Sequence, residues 1–142
     1  MNAAALASIP CAVRFAFTLP WPPTNNNMFA NAAWGKGGRR LSKKGRAYAD
    51  RVGELALMNH VPRHKLQGRL GIGIIAHAPD RGRHDLDNLW KAVLDSLTKC
   101  GCVPDDSDFD VEFIARGTVI PGGRLEVEIW QIQAAVADQP GA

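Results

Sequence analysis

The sequence predicts an α/β (α+β) fold, built as a small single domain with a four-stranded mixed sheet and two main helices. Three observations lead there. The chain has 142 residues, the size of one compact unit. Hydrophobic residues make up 46% of it, an ordinary fraction for a domain with a buried core. Apolar positions alternate in some segments and recur at helical spacing in others, in the order strand, helix, strand, helix, strand, strand. The domain is expected over residues 13–133, with flexible ends at 1–12 and 134–142.

Val13 to Leu19 alternates as a strand does, and Pro20-Trp21-Pro22-Pro23 stops it, because proline lacks a ladder donor and fixes φ. Thr24 to Arg40 is rich in Asn and Gly and reads as a long surface loop. Ser42 suits the N-cap of a helix running to about Asn59, whose apolar face would hold Tyr48, Val52, Leu55 and Ala56. Gly45 and Gly53 weaken that helix. Leu66 to Ala78, with Ile72, Ile74 and Ile75 between glycines, reads as a strand, and Pro79 to His84 turns the chain. Leu86, Leu89, Trp90, Val93 and Leu97 make one apolar stripe, so a second helix follows, stopped at Gly101. Phe109 to Ile120 and Arg124 to Gln131 complete the sheet, joined by Pro121-Gly122-Gly123 as a hairpin turn.

Composition excludes several classes. No apolar run approaches the ~20 residues that span a bilayer, and the Ala-rich start has no basic leader, so a cytoplasmic protein is expected. The three cysteines, Cys11, Cys100 and Cys102, are too few and too unevenly spaced for a disulfide framework or a structural zinc site. The net charge of +3 conceals an asymmetry. Residues 1–103 carry 15 Lys and Arg against 6 Asp and Glu, whereas residues 104–142 carry 2 against 8. A basic surface with an acidic patch set into it suits a polyanion held through metal ions.

Asp85-Leu86-Asp87-Asn88 is the centre of that patch. A D-x-D between a strand end and a helix start puts two carboxylates into one small volume. Magnesium, with manganese as a substitute, takes one or two carboxylates and fills its remaining positions with water and phosphate oxygens. Helix capping is the competing reading, since Asp near a helix N-terminus is favourable in any case. Lys91 stands four residues after Asp87 on the same helix face, where an ammonium could stabilise a charged phosphoryl transition state. It could equally form a surface ion pair with Asp87. Asp95 extends that face and reads as a salt-bridge partner. If the chain reverses after Gly101, Asp105-Asp106 returns towards Asp85 and Asp87 as a third acidic group. Asp108, Asp110 and Glu112 alternate with Phe109, Val111 and Phe113, as the wet side of a strand would. Arg81, Arg83 and His84 precede the D-x-D, and Arg39, Arg40, Lys43 and Lys44 precede or open the first helix; such residues contact phosphates without reading sequence. His77 and His84 are less suited to a metal in such oxygen-rich surroundings.

At these positions the sequence resembles the RusA family of Holliday-junction resolvases, the crossover junction endodeoxyribonucleases. The matching segments are Thr18-Leu19-Pro20-Trp21-Pro22-Pro23-Thr24-Asn25-Asn26, Pro79 to Leu89, Lys91, Asp95 to Lys99, Asp105-Asp106 and Gly122 to Glu126. The resemblance implies a magnesium-dependent homodimer that binds four-way DNA junctions and nicks two opposed strands. It further implies Asp85, Asp87 and Asp106 as the metal-binding carboxylates, Lys91 as the essential basic residue, and Asp105 as the less favoured of its pair. Two other classes compete: a non-catalytic binder of branched or single-stranded DNA using Trp21 and Trp34, and a nucleotide-sugar transferase or phosphatase.

Overall fold

The computed structural model describes residues 11–31, 39–63, 66 and 68–132. Most of the ends predicted to be flexible, and Trp34, lie outside the described residues. Strand β1 (Cys11–Pro20) leads into a one-turn helix, α1 (Asn25–Met28), and two short paired strands, β2 (Phe29–Asn31) and β3 (Arg39–Leu41). Helix α2 (Lys43–Met58), strand β4 (Leu70–His77) and helix α3 (Leu86–Lys99) follow. A 3-10 turn at Asp106–Asp108 precedes β5 (Phe109–Arg116) and β6 (Arg124–Ile132). The main sheet has the order β1-β6-β4-β5, with β4 and β5 parallel and the other pairs antiparallel.

Strand β4 sits at the centre because its sequence suits no other place. Leu70, Ile72, Ile74 and Ala76 point towards the helices and are all but inaccessible. Gly71 and Gly73 alternate with them on the other face. A Cβ on Gly71 would run into the indole of Trp130 on β6, so the glycine lets that buried ring lie flat across the sheet. One apolar core joins β4 to Leu19, Leu125, Val127 and Ile129 of the sheet, Val52 and Ala56 of α2, and Leu89, Val93 and Leu97 of α3. Leu86 and Trp90, expected in the α3 stripe, are only partly buried at its edge.

Two expectations need correction. The Thr24–Arg40 stretch is not simply a loop: Asn25–Met28 makes a helical turn, and β2 pairs with β3. The same packing explains Gly45. The Met28 carbonyl passes so close to the first turn of α2 that a Cβ there would strike it. Ser42 fastens that crossing: its hydroxyl oxygen accepts from the Gly45 amide at 3.0 Å, as an N-cap should, while the hydroxyl lies against the Asn27 and Met28 carbonyls.

The second correction concerns Pro121-Gly122-Gly123. It is a turn, with φ of 84° and 70° at its glycines, but not a hairpin between β5 and β6. Gly117 and Ile120 bond to the Ala76 and Ala78 carbonyls, carrying the chain around the end of β4. Strand β6 then enters on the other side of β4, between it and β1. An all-apolar strand with two free edges recruits both neighbours, and sequence adjacency loses to that pairing. The predicted wet side of β5 is present: Asp110 and Glu112 are exposed while Phe109 is buried.

Candidate active site

Asp85 occupies the N-cap position of α3, with extended backbone angles of −76° and 127°, but its side chain makes no capping hydrogen bond. Asp87 is in the first turn and exposed. Among the described residues neither carboxylate has a hydrogen-bond or ion-pair partner. Both acids sit where a helix N-terminus favours negative charge, as the competing reading expects, but no cap bond engages them, and two solvated carboxylates two residues apart are left available to a cation. That donor set fits magnesium, which needs only one or two protein carboxylates when water and phosphate supply the rest. Among the described residues no three acidic, histidine or cysteine side chains gather.

Lys91 does not pair with Asp87. Its Nζ sits over the ring of Phe29, 5.1 Å from the centroid, on the β2–β3 ribbon. The ammonium is thereby held beside the helix, leaving the Asp87 carboxylate unneutralised. Asn25 of α1 donates to the Asn88 side-chain oxygen at 2.8 Å and ties the same ribbon segment to the first turn of α3.

The loop before Asp85 is also ordered by its own residues. The Asp80 carboxylate accepts from the Gly82 amide at 2.7 Å and contacts His84 Nε2 at 2.8 Å. The His84 bond, and then the Gly82 amide, hold the Asp80 carboxyl below its ordinary range. The His84 ring meets Trp21 edge-on at 5.3 Å, and Arg116 at the end of β5 donates to the His84 carbonyl at 2.7 Å. A cleft of about 100 Å³ opens between the Trp21-Pro22-Pro23-Thr24 segment and His84, Asp85 and Asn88. Arg81 and Arg83 stand exposed on this loop; Arg40, Lys43 and Lys44 stand exposed on β3 and the start of α2. Basic side chains thus flank the D-x-D from two sides. The side chain of Arg39 lies outside the described residues. His77 is a structural residue: it is buried on the opposite face of the sheet, its Nδ1 donating to the Thr118 carbonyl at 2.8 Å.

Asp105 and Asp106 do not return to this end. Strand β5 starts beside Leu70, at the beginning of β4, whereas Asp85 follows the end of β4. Helix α3 has 14 residues, so its rise alone sets the two acidic groups about 20 Å apart within one chain. The reversal after Gly101 turns the chain only as far as the C-terminal end of the helix. There Asp105 caps the 3-10 turn, its carboxylate accepting from the Ser107 amide at 3.0 Å. The Asp106 backbone belongs to that turn, and its side chain lies outside the described residues. Asp108 and Asp110 are engaged by Arg69, at 3.7 and 2.7 Å.

Sequence reasoning passed over Asn25, Asn88, Phe29 and Arg116. The signal for the first two lay in the Asn-rich run and the D-L-D-N motif, to which only the acids were given roles. Nothing local could have linked Phe29 or Arg116 to the site, because both reach it through tertiary packing.

An acidic pair at a helix start, set among arginines and lysines on an α+β scaffold, suits metal-assisted chemistry on a phosphate backbone, and comparison with known proteins makes the class endodeoxyribonuclease. Residues 20–130 match the family model described as endodeoxyribonuclease RusA. The crossover junction endodeoxyribonuclease RusA of Escherichia coli (strain K12) is 38% identical over 118 residues, covering 83% of this chain and 95% of that protein. The relative of the same description from Enterobacteria phage HK97 is 36% identical over 126 residues, covering 84% of this chain and 97% of its own. The chain belongs to the RusA family of endodeoxyribonucleases.

Proposed function

We propose that the protein resolves four-way DNA junctions, hydrolysing one phosphodiester in each of two opposed strands with magnesium, or manganese in its place. The observation that carries this reading is the Asp85–Asp87 pair, exposed at the start of α3 and, among the described residues, engaged in neither a cap bond nor an ion pair. A bound divalent ion would activate water and stabilise charge on the phosphoryl group. The chain's own residues do the rest. Asp85 and Asp87 orient the ion at the helix start. Lys91, steered by Phe29, stands ready to meet the extra negative charge as phosphorus becomes five-coordinate. Arg81, Arg83, Arg40, Lys43 and Lys44 hold the backbone phosphates on either side. The relatives' names supply the junction as substrate, and the cytoplasm is where such DNA lies.

The distance along α3 bears on the third carboxylate. Within one chain Asp106 is too far from Asp85 to share an ion with it. Two symmetric cuts call for a two-fold dimer, and in such a dimer the Asp106 end of one α3 can lie against the Asp85 end of the other. We infer that Asp106 serves the partner's site, while Asp105, occupied as a cap, serves the fold.

The experiment is a labelled four-way junction incubated with the protein and magnesium. Paired nicks are expected, lost in Asp87→Asn with junction binding kept. Absence of nicking with either metal at low salt would sink the proposal.

A further inference from the structure

At the far end of α3 two thiols meet that the nuclease reading does not use. The helix ends in a Schellman turn: the Cys102 amide bonds to the Leu97 carbonyl at 3.0 Å and the Gly101 amide to that of Thr98 at 3.1 Å. Gly101 takes φ of 82°, which lets the chain reverse within one residue and puts both cysteine side chains on one side. Their sulfurs are 3.2 Å apart and share a hydrogen bond. Cys102 is 1% exposed, whereas Cys100 is partly open to solvent. Arg63 reaches the same corner, its Nε donating to the Cys100 carbonyl at 2.8 Å.

We propose that Cys100 and Cys102 form an oxidisable dithiol, a modification site at which a peroxide closes a reversible disulfide across Gly101. Closing the bond brings the sulfurs from 3.2 Å to about 2 Å. The roles differ by exposure. Cys100 is the sulfur a small oxidant reaches, and Cys102 is the shielded partner that resolves the product. The chemistry of the corner agrees: the sulfur contact with Cys102, aided by the Arg63 charge, lowers the pKa of the Cys100 thiol and so favours its nucleophilic thiolate. The Cys102 thiol is pushed in the opposite direction by the same contact and by burial.

The steps balance. The Cys100 thiolate attacks one oxygen of hydrogen peroxide, the O–O bond breaks, and a sulfenic acid and hydroxide form. Cys102 gives up its proton and attacks Cys100 Sγ; the S–O bond breaks and the oxygen leaves as water. Two thiols lose two electrons in total, and one peroxide becomes two waters. A thiol reductant reverses the change.

The test exposes the full chain to hydrogen peroxide, removes the peroxide, and then unfolds the chain in denaturant containing iodoacetamide, with intact mass and peptide mapping as readouts. The sequence holds three cysteines, so the reduced protein takes three adducts. Oxidised protein should take one, on Cys11, with a Cys100–Cys102 disulfide that dithiothreitol opens. Cys11→Ala should oxidise as the wild type does. Cys102→Ala should instead stop at a Cys100 sulfenic acid that dimedone traps. Three adducts surviving peroxide, or a disulfide that includes Cys11, would overturn the proposal. So would a Cys102→Ala variant that yields no dimedone adduct.

Discussion

The two ends of α3 carry the same chemical feature in opposite states. At the start of the helix Asp85 stands at an N-cap and leaves its carboxylate unused. Beyond its end, Asp105 stands at the N-cap of the 3-10 turn and spends its carboxylate on the Ser107 amide. A cap bond contributes about 1 kcal/mol, and Asp85 forgoes it. What separates the two acids is their surroundings. Asp85 and Asp87 face a basic loop, a tethered lysine and a cleft, while Asp105 lies in an acidic stretch whose neighbours are already held by Arg69. An acid that declines the easy local bond, in a field of positive charge, is placed for something else.

Substitutions can break this contrast, and the largest effect is expected at the free carboxylates. Asp85→Asn or Asp87→Asn should lower junction nicking by roughly 10³-fold, the loss of a few kcal/mol of transition-state stabilisation, with binding by gel shift unchanged or tighter. Lys91→Ala should cost roughly 10²-fold in the same assay, since the ammonium stabilises developing charge without holding the ion. Asp105→Ala should reverse the pattern: nicking nearly intact, but about 1 kcal/mol of stability lost in a denaturant melt. Equal loss of nicking at Asp87 and Asp105 would erase the distinction.

Smaller effects sharpen the picture of the flanking loop. Arg83→Ala should weaken junction binding evenly across sequences and reduce the salt slope by about 1. Asp80→Asn should act least, by releasing His84. Because the folded state depresses the Asp80 value, that bond's contribution is present above the carboxyl's ordinary titration range and fades as pH falls through the lowered value. The Asp80 carboxyl carbon, followed by NMR on acidification, should therefore titrate below the ordinary carboxylate range. An Asp80 carboxyl that titrates in the ordinary range would count against the Asp80–His84 link.

Much of the fold was legible because its signals are local. Ser42 did cap α2, and Gly101 did end α3 in a left-handed residue. The alternation of β4 and the stripe of α3 likewise named the buried residues Ile72, Ile74, Leu89 and Val93. What could not be read was pairing at a distance. Strands β5 and β6 follow one another across a glycine turn, and only the competition for the edges of β4 separates them. Gly45 looked like a weakness in a helix until the Met28 carbonyl appeared beside it.

The site divides in the same way. The D-x-D and Lys91 sit within two helical turns, so their spacing put them forward as candidates, with capping and a surface ion pair as the competing readings. The place of Asp106 depends on which way the chain runs after α3, and the expected return to Asp85 did not occur. The odd number of cysteines and the lone C-x-C spoke only against a disulfide framework and a zinc site, because a spacing of two says nothing about whether two sulfurs touch.

The proposed dimer joins carboxylates from opposite ends of α3 across two copies of the chain. Mixing Asp87→Asn protein with Asp106→Asn protein tests this directly, because a heterodimer then concentrates both lesions in one site and leaves the other whole. Each variant alone should fail to nick a four-way junction, and the mixture should regain cutting confined to one strand per junction. A mixture as inactive as its parts, or an Asp106→Asn protein that cuts normally, would contradict the account.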